Sequence, residues 1–302
     1  MTTTPTKIAQ ANGIEIAYGT FGAPTGTPVL LIMGLGAQMI AWPDAFCEEL
    51  SARGDYVIRY DNRDVGESTH LSDLPAPHPV DSLLRRGKPP YRLEDMADDA
   101  AGLLGALGVG SAHVVGASMG GFIAQELVIR HPARVRSLTL IMTSTGSRRV
   151  GHPKLRVLAR MGRRRAVTDR AAAVESSVET FRMIGSPGFP YDEAYMRDLA
   201  GRGYDRSYDF DGYRRQVAAI AAQADRSSSL AHVRAPTVVL HGLADPLVSE
   251  NGGRAIARAI PGARFVGYSG MGHDLPRALW PSFADEISSV VAAGEARLGA
   301  TR

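Results

Sequence analysis

The sequence predicts an α/β protein in which a mostly parallel central sheet is flanked by helices and a helical segment is inserted between two strands. Apolar runs of strand length alternate with stretches of helix length over residues 29–142, which is typical of a parallel sheet covered on both faces. The strand pattern stops near Gly146 and returns at Thr237. The 302 residues, 44% hydrophobic and 22% charged, are enough for a large core and exclude a disordered chain.

The expected elements follow from hydropathy patterns along the chain. Alternation over residues 14–18 predicts an antiparallel strand, and the Pro-rich residues 74–90 predict an exposed excursion. The other predicted strands are residues 29–33, 56–60, 113–115, 135–142, 237–240 and 264–266. The predicted helices are residues 46–53, 93–107, 122–131, 252–259 and 280–292. We expect residues 1–145 and 232–302 to form the core and residues 146–231 to form a helical subdomain.

Charge and cysteine content narrow the function classes. The net charge of +3 is too small to indicate nucleic-acid binding by itself. Cys47 is the single cysteine, so an intrachain disulfide is excluded. The N-terminus has no apolar signal-peptide region, and no apolar run reaches the ~20 residues of a membrane span. We expect a cytoplasmic protein that does not bind nucleic acid and does not span a membrane.

The motif with the clearest chemistry is Gly116-Ala117-Ser118-Met119-Gly120. It lies between a predicted strand and a predicted helix, which is the context that a serine nucleophile on a sharp turn requires. Side chains two residues before and two after the serine would collide across such a turn, which explains the glycines. The alternative is an ordinary Gly-rich strand–helix loop.

A serine hydroxyl needs a base, and the base needs an acid to orient it. Asp245 follows the predicted strand at residues 237–240, and His273 follows the one at residues 264–266. Because catalytic groups of open α/β sheets gather at the carboxyl ends of the strands, we predict Ser118, Asp245 and His273 as catalytic residues. His241 is the alternative base, but it precedes the acid and is better interpreted as a loop-shaping residue.

The negatively charged intermediate of such a reaction needs two hydrogen-bond donors. We predict the backbone N–H of Met119, next to the nucleophile, and that of Leu35, in the loop after an early strand. Gly34 and Gly36 let that loop approach a substrate closely, so together with Trp42 they are candidates for the substrate pocket. Met39, Ile40 and Trp42 could equally belong to the core.

Together these motifs resemble the α/β-hydrolase fold over residues 14–292. The matching features are Met33-Gly34-Leu35-Gly36, residues 61–68, the Ser118 motif, the Gly-Leu-Ala-Asp that ends at Asp245 and the Gly-Met-Gly-His that ends at His273. Residues 34–42 and 60–68 most resemble the esterase branch that includes aclacinomycin methylesterase and related actinobacterial hydrolases. Met33 departs from the histidine of many relatives, but a backbone donor does not depend on that side chain.

The resemblance implies a serine esterase that needs no cofactor or metal and acts on a small-molecule ester with an apolar acyl or ring group. It also implies that residues 146–231 form a cap over the site and that Arg63 ties loops beneath it, with a substrate contact of Arg63 as the alternative. Peroxide-dependent, thioester and lactone chemistry remain open, because the same three side chains serve them. A non-catalytic binding protein is disfavoured by the intact set, and dehalogenase chemistry by a serine where it needs an aspartate. The oligomeric state stays open, a dimer included.

Residues 147–170 carry nine Arg or Lys and one acidic residue, Asp169. A solvated helix face, with Leu155, Leu158 and Met161 packed inward, is the favoured interpretation. The alternative is a surface that attracts anionic substrates or lipid headgroups.

Overall fold

The computed structural model describes residues 5–83, 88–162 and 165–300. The chain begins with β1 (Lys7–Ala11), β2 (Ile14–Phe21), β3 (Thr27–Ile32), α1 (Asp44–Ala52), β4 (Asp55–Tyr60), α2 (Pro79–Leu83) and α3 (Leu93–Ala106). It continues with β5 (Ala112–Ala117), α4 (Met119–Arg130), β6 (Val135–Ile141), α5 (Leu155–Gly162), α6 (Arg170–Ile184), α7 (Glu193–Arg206), α8 (Phe210–Ala222) and α9 (Ser227–Leu230). It ends with β7 (Thr237–Gly242), α10 (Asn251–Ala259), β8 (Arg264–Tyr268) and α11 (Trp280–Ala300).

The eight strands form one sheet in the order β1-β2-β4-β3-β5-β6-β7-β8. The strands from β3 to β8 pair in parallel, whereas β2 pairs antiparallel with both β1 and β4. The predicted fold class is confirmed. The strand β1 was not predicted, because its side chains are mostly exposed and show no apolar alternation.

Two apolar layers cover the two faces of the sheet. On one face α3, α4 and α10 bury side chains such as Leu104, Ile123 and Ile256. On the other face α1 and α11 bury Phe46 and Ile287. Strands between two such layers are apolar on both sides, which is why β3 and β7 read as continuous apolar runs.

Five helices, α5 to α9, lie between β6 and β7 in the sequence. We call residues 146–231 the inserted segment, with residues 163–164 outside its described part. Because β3, β5, β6, β7 and β8 are parallel, their carboxyl ends share one edge of the sheet. The loops after β3, β5, β7 and β8 carry the predicted site residues and therefore meet at this edge.

Within α5, the predicted orientation of two leucines is wrong. Leu155 is 84% exposed and Leu158 is 38% exposed, whereas Val157 between them is buried. A helix of eight residues presents only a narrow buried stripe, and here Val157 occupies it. The side chain of Met161 lies outside the described residues.

Candidate active site

Ser118 stands between β5 and α4 in a strained backbone conformation. Its φ of 55° and ψ of −118° lie where residues with a side chain are rarely found. The surrounding strand and helix impose this geometry. The Ser118 N–H donates to the Ile141 carbonyl at 2.9 Å, and the Ser118 carbonyl accepts from the Gly121 N–H at 2.9 Å. The turn projects the hydroxyl at the carboxyl edge of the sheet.

The two glycines of the motif are required because the turn leaves no room for a Cβ at either position. A Cβ at Gly116 would overlap the carbonyl of Gly120, and a Cβ at Gly120 would overlap the carbonyl of Ile32. Neither obstacle is the end of a flexible side chain, so neither could move aside cheaply. The tightness of the turn therefore comes directly from these two residues.

The structure brings the three predicted side chains together in a chain of hydrogen bonds. His273 Nε2 lies 2.9 Å from Ser118 Oγ, and His273 Nδ1 lies 2.7 Å from Asp245 Oδ2. The remaining Asp245 oxygen, Oδ1, accepts from the N–H groups of Leu247 and Val248 at 2.8 and 2.9 Å. Asp245 and His273 are both buried. The carboxylate therefore fixes the imidazole, leaving Nε2 directed at the serine.

His241, the alternative base, lies at the end of β7, and within the described residues its Nδ1 has no hydrogen-bond partner. Its Nε2 donates to the carbonyl of Val248 at 2.9 Å, and burial lowers the pKa of its imidazole. This hydrogen bond holds the turn that carries Asp245, as the loop-shaping interpretation expects. His241 itself lies in β7 and not in the loop.

Leu35 and Met119 offer backbone N–H groups beside Ser118. Within residues 5–83, 88–162 and 165–300, no protein atom accepts a hydrogen bond from either N–H. Met119 is the first residue of α4, where helix N–H groups have no partner within the helix. A Cβ at Gly34 would lie 3.1 Å from Ser118 Cβ, so the loop carrying Leu35 passes directly against the serine.

The three candidates for the substrate pocket lie in different surroundings. Gly34 touches Ser118, and Gly36 is exposed with a φ of +65°. Trp42 is fully buried and stacks on Phe46 with ring centroids 6.0 Å apart. Trp42 therefore belongs to the core beneath the site, and its expected place in the pocket is corrected. Met39 is likewise buried in this region.

The connection between α6 and α7 contacts the loop that carries His273. The His273 N–H donates to the Ile184 carbonyl at 2.7 Å, and the Gly188 N–H donates to the Gly270 carbonyl at 2.9 Å. Ser186 Oγ accepts from the Gly272 N–H at 2.8 Å and donates to Asp274 Oδ1. Burial raises the pKa of the Asp274 carboxyl. The inserted segment therefore contacts the loop that carries His273 at four residues, Gly270, Gly272, His273 and Asp274.

A second set of contacts joins the inserted segment to residues 61–68. Arg206 binds Asp61 at 2.8 Å and Glu67 at 2.7 Å, while Arg215 binds Asp64 through two bonds of 2.8 and 2.9 Å. Arg63 instead turns to Asp99 of α3, through bonds of 2.6 and 2.7 Å. This anchors the loop to the core, as the resemblance implies.

Arg206, Arg215 and Gln216 were not among the predicted residues. Their partners in the early part of the chain, Asp61, Asp64 and Gly36, lie more than 130 residues away in the sequence, and no local pattern marks these contacts.

Asp64, His70 and Asp209 place ligand-type atoms within 4.8 Å of one another, as a metal site would. Arg215 already supplies a positive charge there, because its Nη2 lies 2.8 Å from Asp64 and 3.1 Å from Asp209. The donor set is therefore satisfied by a guanidinium and does not fit a metal ion.

The basic side chains of residues 147–170 lie on the surface wherever they are described. Arg148, Arg149, Lys154, Arg156 and Arg165 are exposed. Arg160 pairs with Glu179 and Arg170 with Asp205 on the same surface. These positions favour a solvated face over a steering patch. Arg163 and Arg164 lie outside the described residues.

None of the helices in the described part of the chain is long and apolar enough to cross a bilayer.

Comparisons with known proteins agree with this architecture. The family described as alpha/beta hydrolase fold matches residues 27–276. Rhodomycin D methylesterase of Streptomyces sp. strain C5 is 30% identical, over 94% of this chain and 97% of the relative. The enol-lactonase structure from Burkholderia xenovorans LB400 covers 95% of this chain and 100% of its own, with a TM-score of 0.70 and 23% identity. The esterase RhEst1 structure from Rhodococcus sp. ECU1013 covers 95% and 98%, with a TM-score of 0.72 and 22% identity.

The two solved structures share the fold, and the sequence match extends over most of this chain and of the methylesterase. The chain belongs to the alpha/beta hydrolase fold family.

Proposed function

We propose that the protein is a cofactor-free serine hydrolase that cleaves carboxylic esters through an acyl-enzyme on Ser118. The observation that supports it is the continuous hydrogen-bonded chain from Ser118 Oγ through His273 to Asp245, with distances of 2.9 and 2.7 Å. A serine, an imidazole and a buried carboxylate at these distances can move a proton in step with bond formation at the serine oxygen.

Each side chain then has a defined role. Ser118 Oγ attacks the ester carbonyl carbon while His273 Nε2 takes the hydroxyl proton, and Asp245 stabilises the imidazolium that results. The bond to the alcohol breaks as His273 returns the proton to the leaving oxygen. Water then attacks the acyl-enzyme with the same proton transfers and releases the acid. The Leu35 and Met119 N–H groups bind the oxyanion in both halves of the reaction.

The inserted segment acts in this proposal as a cap over the active site. Its contacts with the loop that carries His273 and with residues 61–68 support this role, because both follow strands at the carboxyl edge of the sheet. The full-length similarity to a protein named rhodomycin D methylesterase makes methyl esters, rhodomycin D among them, the first substrates to assay. Peroxide, thioester and lactone substrates would use the same acyl-enzyme, and product analysis separates them from simple hydrolysis.

The proposal is tested by esterase activity and by covalent labelling. Ser118→Ala, His273→Ala and Asp245→Asn should each lower kcat on p-nitrophenyl esters by about 10³-fold or more, because the three groups act as one unit. A fluorophosphonate probe should label Ser118 alone. Ser72→Ala, at an exposed serine, is the control and should keep full activity. Undiminished turnover in Ser118→Ala, or labelling of another serine, would exclude the proposed mechanism.

A further inference from the structure

Gln216 lies in α8 of the inserted segment and contacts the loop that carries Leu35. We propose that Gln216 is a positioning residue for the oxyanion hole, so that the hole is correctly formed only while the inserted segment rests on the core. The inference rests on the proposed function, since it assigns the Leu35 N–H to the oxyanion.

The Gln216 side chain is fully buried and uses both ends of its amide. Its Oε1 accepts from the Gly36 N–H at 2.8 Å, and its Nε2 donates to the Arg63 carbonyl at 2.9 Å. Rotating the amide by half a turn would set the NH₂ group against an N–H and the oxygen against a carbonyl. Only one orientation satisfies both partners, so the acceptor is held at a fixed point.

That fixed point controls the turn that contains Leu35. The Ala37 N–H donates to the Gly34 carbonyl at 3.2 Å, and Gly36 has a φ of +65°, so residues 34–37 form a tight turn. The Gly36 N–H belongs to the central peptide of this turn, directly after Leu35. Gln216 therefore sets the plane of that peptide from one side, while Gly34 packs on Ser118 from the other.

Buried ion pairs hold the residues on either side of the Gln216 contacts. The neighbouring Arg215 forms two bonds with Asp64, and both side chains are buried. Arg63, whose carbonyl receives the other end of the Gln216 amide, is anchored through Asp99. A group held in this way can fix a neighbouring turn to within the tolerance that transition-state binding requires.

Gln216→Leu removes both hydrogen bonds at similar size. It should lower kcat on p-nitrophenyl acetate by about 10- to 100-fold with KM within about threefold, because the oxyanion forms only along the reaction path. Affinity for an aryl trifluoromethyl ketone, whose adduct with Ser118 carries an oxyanion, should fall by a similar factor. Gln125→Leu is the matched control: Gln125 is also fully buried and bonds two backbone carbonyls, of Gly121 and Ser144.

Gln216→Glu tests whether the effect on kcat comes from the position of the Leu35 turn or from a loss of stability. It also tests the proposal if Gln216→Leu does not fold. A carboxylate keeps the acceptor for Gly36 but repels the Arg63 carbonyl, so we expect a lower Tm with kcat within about fivefold of wild type. The proposal is overturned if Gln216→Leu keeps wild-type kcat, if it loses no more ketone affinity than Gln125→Leu, or if folded Gln216→Glu has a kcat more than about tenfold below that of the wild type. Absence of Ser118-dependent esterase activity in the wild type would instead refute the proposed function.

Discussion

Ser118 holds a backbone conformation that its own side chain disfavours, at a typical cost of about 1–3 kcal/mol. The packing of β5 against α4 imposes it, and what is gained is access: the hydroxyl projects from the sheet edge toward His273 and lies against Gly34. Strain of this kind persists only where neighbouring residues leave no room for relaxation. The close approach of Gly34 is part of that confinement.

Gly34→Ala should impair catalysis while leaving the fold intact. The new Cβ would lie 3.1 Å from Ser118 Cβ and 3.5 Å from its Oγ, so the loop must shift by a few tenths of an ångström away from the serine. We expect kcat to fall by about tenfold, because small displacements of oxyanion donors are costly. The measurement is kcat on a p-nitrophenyl ester, with Tm recorded in parallel.

Gly110→Ala is the matched control, since a Cβ there would meet nothing within 4 Å. Its kcat and Tm should equal those of the wild type. A Gly34→Ala variant with wild-type kcat would show that the loop has room that the structure does not indicate.

Single residues could be predicted from the sequence where chemistry restricts the choice of residue type. The order Ser118, Asp245, His273 and the paired glycines around the serine were predicted this way, and the structure places His273 within hydrogen-bond distance of both Ser118 and Asp245. Gln216 could not be identified, because its partner Gly36 is 180 positions away and a glutamine in an amphipathic helix carries no chemical signal. Trp42 was equally ambiguous, since an aromatic residue suits either a pocket or a core.

At the scale of elements, the end of α6 and the connection to α7 hold the loop that carries His273 in place. The backbone carbonyl of Ile184 and the side chain of Ser186 bind successive residues, His273 and Gly272. A Cβ at Gly272 would overlap the backbone of Gly185, so the two loops are in direct contact. A displacement of the inserted segment would therefore also displace the imidazole of His273.

Ser186→Ala should weaken these contacts. It removes the acceptor for the Gly272 N–H and the donor for Asp274, whose pKa burial already raises. We expect kcat to fall by about tenfold with little change in KM, because His273 is displaced rather than the substrate. Steady-state kinetics on one ester measure both parameters.

Ser228→Ala, at an exposed serine of α9, controls for loss of a hydroxyl within the inserted segment and should behave as wild type. If Ser186→Ala raised KM and left kcat unchanged, the contact would concern substrate binding and not the base.

Most element boundaries could be predicted to within a few residues, because hydrophobic period and Gly or Pro stops are local signals. α3 was predicted at residues 93–107 and is Leu93–Ala106, and β6 was predicted at 135–142 and is Val135–Ile141. α11 continues to Ala300, beyond the predicted end at 292, because its last turns are exposed and lose the apolar period. The buried face of α5 was missed because leucine and valine there are equally apolar.

At the scale of the whole molecule, the titration of Asp55 makes the free energy of unfolding depend on pH. Burial raises the pKa of this carboxyl to about 6 from its ordinary value of 3.8. Between these values the folded state binds more protons than the unfolded state, so the free energy of unfolding falls as pH rises from about 4 to 6 and stays lowered above that.

Asp55→Asn removes the buried charge and should raise Tm at pH 7 by about 3 °C relative to wild type. The difference should shrink as pH falls through 6 and vanish near pH 4, where the wild-type carboxyl is neutral as well. Thermal melts across this range measure it. Asp73→Asn, at an exposed carboxylate, should show no such trend, and a constant Tm difference at all pH values would contradict the assignment.

Cys47 has a consequence for spectroscopy. It is the chain's single cysteine, its side chain lies on the buried face of α1, and burial raises the pKa of its thiol to about 12. A thiol kept protonated and out of solvent reacts slowly with maleimides. The native chain should therefore give little background when dyes are attached to introduced cysteines. One cysteine could replace Leu155, which is 84% exposed on the inserted segment, and a second could replace Gly110 on the core. The distance between the two dyes would then report whether the inserted segment moves relative to the core during turnover.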